Sequence, residues 1–250
     1  MRIGRTAKVE TLTRLLIFTG LLLPAGRALC AGPAGRNAPP GASAGQFVQW
    51  TSGDHGAATS ETTYLKSVTR GNLLLVFSHW DNQGLSAAVT DNLRNAYASI
   101  AGPINAGPTA RFQVWYAKNI RGGAPLAVTV TYSGNTKSFS LVDVIEYSGL
   151  DRSAPLDVYA SAAGSGKFQD SGPSPTTRAR NETIVGLFGY SAYALPYTAG
   201  AGFTMRSYDA SSMLEDQAVT NIGSYHATAT SLVPDFWAAF VIGFKNAAQP

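Results

Sequence analysis

At 250 residues, with one cysteine and a formal net charge of +4, the chain is long enough to bury a sizeable core but has no disulfide framework to brace it. The basic balance does not point to nucleic acid. Five of the Lys and Arg residues and one acid fall within residues 1–31, and the remainder carries fourteen basic and fourteen acidic side chains.

The chain opens with Arg2, Arg5, Lys8 and Arg14 against Glu10, then the apolar run LLIFTGLLLPA from Leu15 to Ala25, then GRALCAG. A basic segment, an apolar core and small residues behind it describe a secretory signal peptide over residues 1–31, cut after Cys30 or Ala31. The apolar run falls short of the roughly 20 residues a span needs, so no membrane span is expected in the mature chain. The expected location is secreted, periplasmic or at the cell surface. Residues 32–45, GPAGRNAPPGASAG, read as a Pro/Gly/Ala/Ser-rich linker.

From Gln46 to Lys245 short apolar or alternating runs are broken by Gly, Asn, Asp and Pro, and residues 246–250 form a tail. Val128, Val130 and Tyr132 alternate with Thr129 and Thr131, the period of a strand with one wet face. NLLLVF (72–77) and FWAAFVIGF (236–244) are apolar on both faces, as central strands would be. No capped helical stripe appears. Roughly a dozen strands are expected in one all-β domain, a two-sheet antiparallel β-sandwich of jelly-roll type. SVTRGNLLLVF (67–77) is echoed by TTRARNETIVGLF (176–188), which would make these two the matching strands of the two halves.

The phrases RGNLLLVF, VTDNLRNAY (89–97), WYAKNIRGGA (115–124), EYSGLD (146–151), PLD (155–157), LEDQAV (214–219) and GSYHATAT (223–230) occur in this order. Together they resemble a group of secreted bacterial β-sandwich modules that are often joined to other extracellular domains. The resemblance spans nearly all of 46–245. It implies fold and location, and carries no catalytic residues. One position departs: Arg94 stands where the group usually has Gly, so a turn of another type is expected across Asp91–Asn95.

Four acids, Asp143, Glu146, Asp151 and Asp157, crowd LVDVIEYSGLDRSAPLD. One β-sandwich glycosidase family carries its acids as Glu-x-Asp-x-x-Glu. Asp143 and Glu146 match the last two, but Leu141 stands at the nucleophile, so no glycosyl-enzyme could form. On a regular strand Asp143 and Glu146 also point to opposite faces, and a buried acid needs a partner. Both are therefore expected to be structural. Asp151 and Asp157 suit loop hydrogen bonds, with Ca²⁺ held between separated loops as the alternative. His55, His79 and His226 lack metal-ligand spacing. Gly189-Tyr190-Ser191-Ala192-Tyr193 lacks the last Gly of a nucleophile elbow.

The remaining signal is aromatic. Trp80, Asp81 and Asn82 end one strand of the echoed pair. Tyr190, Tyr193 and Tyr197 follow the other, and the echo would bring both loops to the same end. Rings beside acids and amides suit sugars, so these six residues are the candidate ligand site. Trp50, Trp115 and Trp237 are expected in or near the core. The resulting expectation is a non-catalytic secreted module binding a glycan or cell-surface polymer. The alternatives are a structural or adhesive envelope domain and, more remotely, a glycoside hydrolase.

Overall fold

Strands and their connections account for all the described residues, which contain no helix. The computed structural model describes residues 44–192, 195 and 197–248, within the unit Pro39–Pro250. The leader, residues 32–43 of the linker and Tyr193 lie outside the described residues. In chain order the strands are β1 (Gln46–His55), β2 (Ser60–Leu65), β3 (Leu73–Trp80), β4 (Ala87–Asp91), β5 (Ala98–Ala106), β6 (Ala110–Ala117) and β7 (Leu126–Tyr132). β8 (Ser140–Ser148), β9 (Leu156–Asp170), β10 (Glu182–Tyr190), β11 (Tyr197–Ala199), β12 (Thr204–Tyr208), β13 (Ser212–Val219) and β14 (Thr228–Lys245) complete the set.

They pair antiparallel into a five-stranded sheet, β1-β8-β3-β6-β5, and a six-stranded sheet, β11-β14-β10-β13-β12, with β9 also on β14. A third sheet, β2-β7-β4, covers the far side of the first. The all-β antiparallel sandwich is thus present, with a small third layer that the sequence reading did not include. Alternation explains the layering. Leu73, Leu75 and Phe77 face the six-stranded sheet and meet Val185, Leu187, Phe240 and Phe244. Leu74, Val76 and Trp80 face the third sheet and meet Val128, Val130 and Tyr132. β3 is therefore buried along its whole length, which is why its sequence shows no polar face. On β10, Ile184, Phe188 and Tyr190 look outward into a further apolar cluster with Met213, Ala229 and Trp237.

The echoed segments occupy the middle of the two facing sheets, β3 in one and β10 in the other. Phe77 stacks on Phe112 at 6.1 Å and meets Phe240 edge-on at 5.9 Å. Each such ring contributes about 1.5–3 kcal/mol by leaving water. Gly189 of β10 allows this close approach, since a Cβ there would come within 2.4 Å of Phe112. The sheets are also tied by a polar contact: Tyr147 Oη donates to Asp216 at 2.8 Å, and Arg206 holds the same carboxylate at 2.8 Å.

The pairings define two ends. Gln46, Leu73, Ser148 and Lys245 mark one, which we call proximal; His55, Trp80, Ser140 and Tyr190 mark the distal end. Both limits of the described chain meet at the proximal end, where Gly45 N donates to Asn246 Oδ1 at 3.0 Å. Arg94 has φ of 59°, so at this position the turn after β4 adopts the left-handed conformation that Gly would supply. Its amide donates to Asp91 O at 3.2 Å, and the Asp91 carboxylate takes Asn95 N and Tyr97 Oη.

Candidate functional site

The structure brings Trp80 and Tyr190 to the same end but buries the rings of Trp80, Tyr190 and Tyr197, while Tyr193 lies outside the described residues. Trp80 is wholly buried, tilted against Tyr132 at 5.4 Å, with its Nε1 donating to Asn82 O at 3.0 Å. Tyr190 is also wholly buried; it stacks on Tyr197 at 4.6 Å and donates to Gln169. Tyr197 Oη donates to Ala210 O at 2.8 Å. Trp80 points toward the third sheet and Tyr190 toward the outer cluster, so two sheets lie between them. These rings form no common patch and offer no face to a sugar. The reading fails because an even count along each strand turned both rings outward from the central layer into separate cores.

Asp81 is a loop anchor. Its carboxylate accepts from Lys137 N, Ser138 N and Ser138 Oγ. Burial pushes the carboxyl up, but the hydrogen bonds from Ser138 and Lys137 outweigh it and hold it below the usual carboxylate range. Asn82 caps its own turn, with Oδ1 accepting from Gly84 N at 3.2 Å.

The four acids between residues 141 and 157 behave as structural groups. Glu146 is wholly buried and accepts from Gln49 Nε2 at 2.5 Å, Thr69 N at 2.9 Å and Asn72 Nδ2 at 2.6 Å. Asp143 faces the other way, and its buried Oδ1 has no hydrogen-bond partner among the described residues. Burial and, second, the neighbouring Asp209 push its carboxyl up to about 7, opposed by Ser212, Ser52 and Trp50. Asp151 takes Ser153 N, Ser153 Oγ and Ala154 N, and Asp157 pairs with Arg178 at 3.0 Å. Among the described residues no group of three or more His, Cys, Asp or Glu side chains is placed to hold a metal. His79 is buried against Phe112 at 4.3 Å, and burial lowers its pKa to about 3, so it stays neutral.

What the distal end does present is a succession of shallow hollows. Two flank Phe236, one of about 300 Å³ shared with Asn105, Gly107 and Ser165, the other of about 360 Å³ shared with Gly166 and Asp235. The next, of about 190 Å³, lies between Phe139, Ser191 and Ser211. The last, of about 140 Å³, is walled by Phe139, Leu141, Ser52, Asp54 and Asp209. Asp235 joins the two halves: it takes Ser191 Oγ at 2.6 Å and Ala192 N at 2.7 Å.

Phe236 is 42 % exposed, and Phe139 is half-buried. Phe236 leans on Gly107, whose missing side chain leaves room for the ring; a Cβ there would lie 2.6 Å from it. Its side comes from the β14 alternation, one residue before the buried Trp237. Between Thr230 and Asp235 the register with β9 shifts, four residues of β14 facing Lys167 alone, and this bulge brings the strand out at the tip. Sequence reasoning missed both rings. Their signal was a Phe beside Ser or Asp, just ahead of β8 in KSFS and within β14 in PDFW.

Open hollows lined by Ser, Asn, Asp and Gly, in two pairs each beside a ring face, suit contact along a chain of small polar units more than enclosure of one molecule. Comparison with protein-family models, curated proteins and solved structures returned no match for this chain.

Proposed function

We propose that this chain is a non-catalytic secreted β-sandwich module whose distal end holds an extended glycan or other cell-surface polymer. The observation that carries this reading is the succession of open hollows past Phe236 and Phe139, each of a size to seat a sugar unit. The rings supply faces for C–H bonds, and Asn105, Ser165 and Ser211 supply hydrogen-bonding groups for hydroxyls. The leader-like N-terminus and the resemblance to secreted bacterial modules support the location.

A glycan array probed with the purified chain tests the reading. Retention on uncharged glycans is expected, with a loss of about tenfold or more in Phe236→Ala, since truncating a stacked aromatic anchor removes on the order of 1–3 kcal/mol. The substitution lies at an exposed position, so the melting temperature is expected to hold. A second reading, an adhesive domain contacting envelope proteins, is favoured by the apolar tip formed by Phe168, Leu232 and Val233, which are 59 %, 60 % and 40 % exposed. Absence of retention on every glycan would leave that reading in place of the first.

A further inference from the structure

The overall neutrality of residues 32–250 hides a segregation of charge. Of the thirteen Lys and Arg residues between 46 and 245, nine lie at the proximal end. Lys66 and Arg70 stand between β2 and β3, Arg94 follows β4, and Lys118 and Arg121 follow β6. Arg152 follows β8, Arg178 and Arg180 precede β10, and Lys245 closes β14. These loops are bonded to one another. Gly71 N donates to Ile120 O at 2.9 Å, Lys118 Nζ to Ser153 O, and Asp151 N to Lys245 O at 2.9 Å. All nine cations are exposed except the half-buried Lys245. Among the described residues only Arg178 of the nine is in an ion pair.

Most acids of this end are enclosed or paired, and Asp151 stays partly open to solvent. Glu146 is enclosed by Gln49, Thr69 and Asn72, and Asp91 by Asn95 and Tyr97. Asp151 is capped by its own loop, and Asp157 faces Arg178. The charge left facing solvent is therefore mostly positive. It surrounds an open hollow of about 640 Å³ lined by Gly71, Asn72, Asp151, Arg152 and Ser153, where Arg152 is the one cation and Asp151 the one acid, so the excess of positive charge lies on the surrounding loops. The Arg152 guanidinium lies over Gly71, where a Cβ would come within 2.8 Å.

We infer that the proximal end is a second binding surface, separate from the distal one, and that its ligand is an acidic polysaccharide. Cations spread over five loops and the end of β14 match a repeating anion along a chain, and Asn72 and Ser153 can meet sugar hydroxyls between them. The hollow is lined by no aromatic ring on which a base could stack, which separates this surface from a single-stranded nucleic-acid site.

The test measures the affinity of the purified chain for polygalacturonate, uncharged dextran and oligo(dT) at ~50 mM and ~300 mM NaCl, conditions that span strong and weak screening. Polygalacturonate is expected to bind at the lower salt and to weaken about tenfold or more at the higher. Arg70→Ala combined with Arg152→Ala is expected to cost about tenfold or more, and Lys137→Ala with Lys167→Ala, at the other end, to cost nothing measurable. Phe236→Ala should leave this binding intact, so failure of the distal site and failure of this one are separately visible. Absence of polygalacturonate binding at low salt, or unchanged binding by the Arg70/Arg152 variant, overturns the proposal. So does equal or tighter binding of oligo(dT), which would assign the surface to nucleic acid.

Discussion

Asp143 sits in the layer between the two large sheets, beside Ser52 of β1 and Phe77 of β3 in the register. Its carboxyl is pushed from 3.8 up to about 7 by burial and by Asp209. Glu182 and Glu215 are raised from 4.5 to about 7, chiefly by burial. A raised acid holds its proton in the folded chain at pH values where the unfolded chain has released it. The stability it contributes is full below the unfolded value and is lost as pH rises through the folded value. The melting temperature is therefore expected to fall between pH 5 and pH 8, with Asp143 alone accounting for about 2–3 kcal/mol. Asp143→Asn keeps the shape without the charge, so it should match the native chain near pH 5 and exceed it at pH 8. Equal pH dependence in the two chains would remove Asp143 as the cause. The opposite faces of Asp143 and Glu146 were legible in the sequence, because strand alternation is local. Their partners were not: Asn72 is brought to Glu146 across 74 residues, and no local pattern records that contact. The same division separates Trp80 from Phe236. Composition marked Trp80 for a ligand, but only the placement of a third sheet decides that its ring is enclosed.

At the scale of single elements, the end of β14 decides what the distal end can bind. The chain enters through a bulge, Ser231 to Pro234, with Ser231 Oγ accepting from Gln169 Nε2 at 3.2 Å. It then settles into a strand whose even residues face the central layer, Ala238, Phe240, Ile242 and Phe244. Phe236 continues that row beyond the neighbouring sheet, and Gly107 of the β5–β6 turn gives it a seat. Gly107 has φ of 58°, so a side chain there is strained as well as crowded. Gly107→Val is expected to cost about 1–2 kcal/mol of stability and to displace the ring. The aromatic proton resonances of Phe236 should shift while those of Phe139 stay in place, and retention on the glycans that bind the native chain should fall as in Phe236→Ala. Unmoved Phe236 resonances would show that Gly107 does not set the ring. The strand itself was legible, since DFWAAFVIGF can hardly be anything else. The bulge was not, because the residue that turns outward depends on a register with β9 set some 65 residues away.

Across the whole molecule, three apolar layers share walls. β3, β6 and β8 supply residues to the first and second clusters, and β10 and β14 to the first and third. No layer can open without exposing the back of a sheet that another layer needs, which argues for a single cooperative transition. The echo between 67–77 and 176–188 made the two middle strands visible in sequence. The third sheet escaped notice because β2 and β4 are short and half wet, and their apolar residues acquire meaning only beneath β3. The four tryptophans sample the layers: Trp50 packs against the first cluster, Trp80 and Trp115 lie in the second, and Trp237 lies in the third. With 5-fluorotryptophan in place of tryptophan, each indole gives its own fluorine resonance. On heating, all four native resonances are expected to vanish at one midpoint, within about 2 °C, as a shared-wall structure requires. Earlier loss at Trp237 alone would mean that the outer cluster opens as a unit of its own, and with it the β9–β14 tip that carries Phe236. The distal surface would then be a mobile arm, and its ring would be ordered by the ligand instead of standing ready for it.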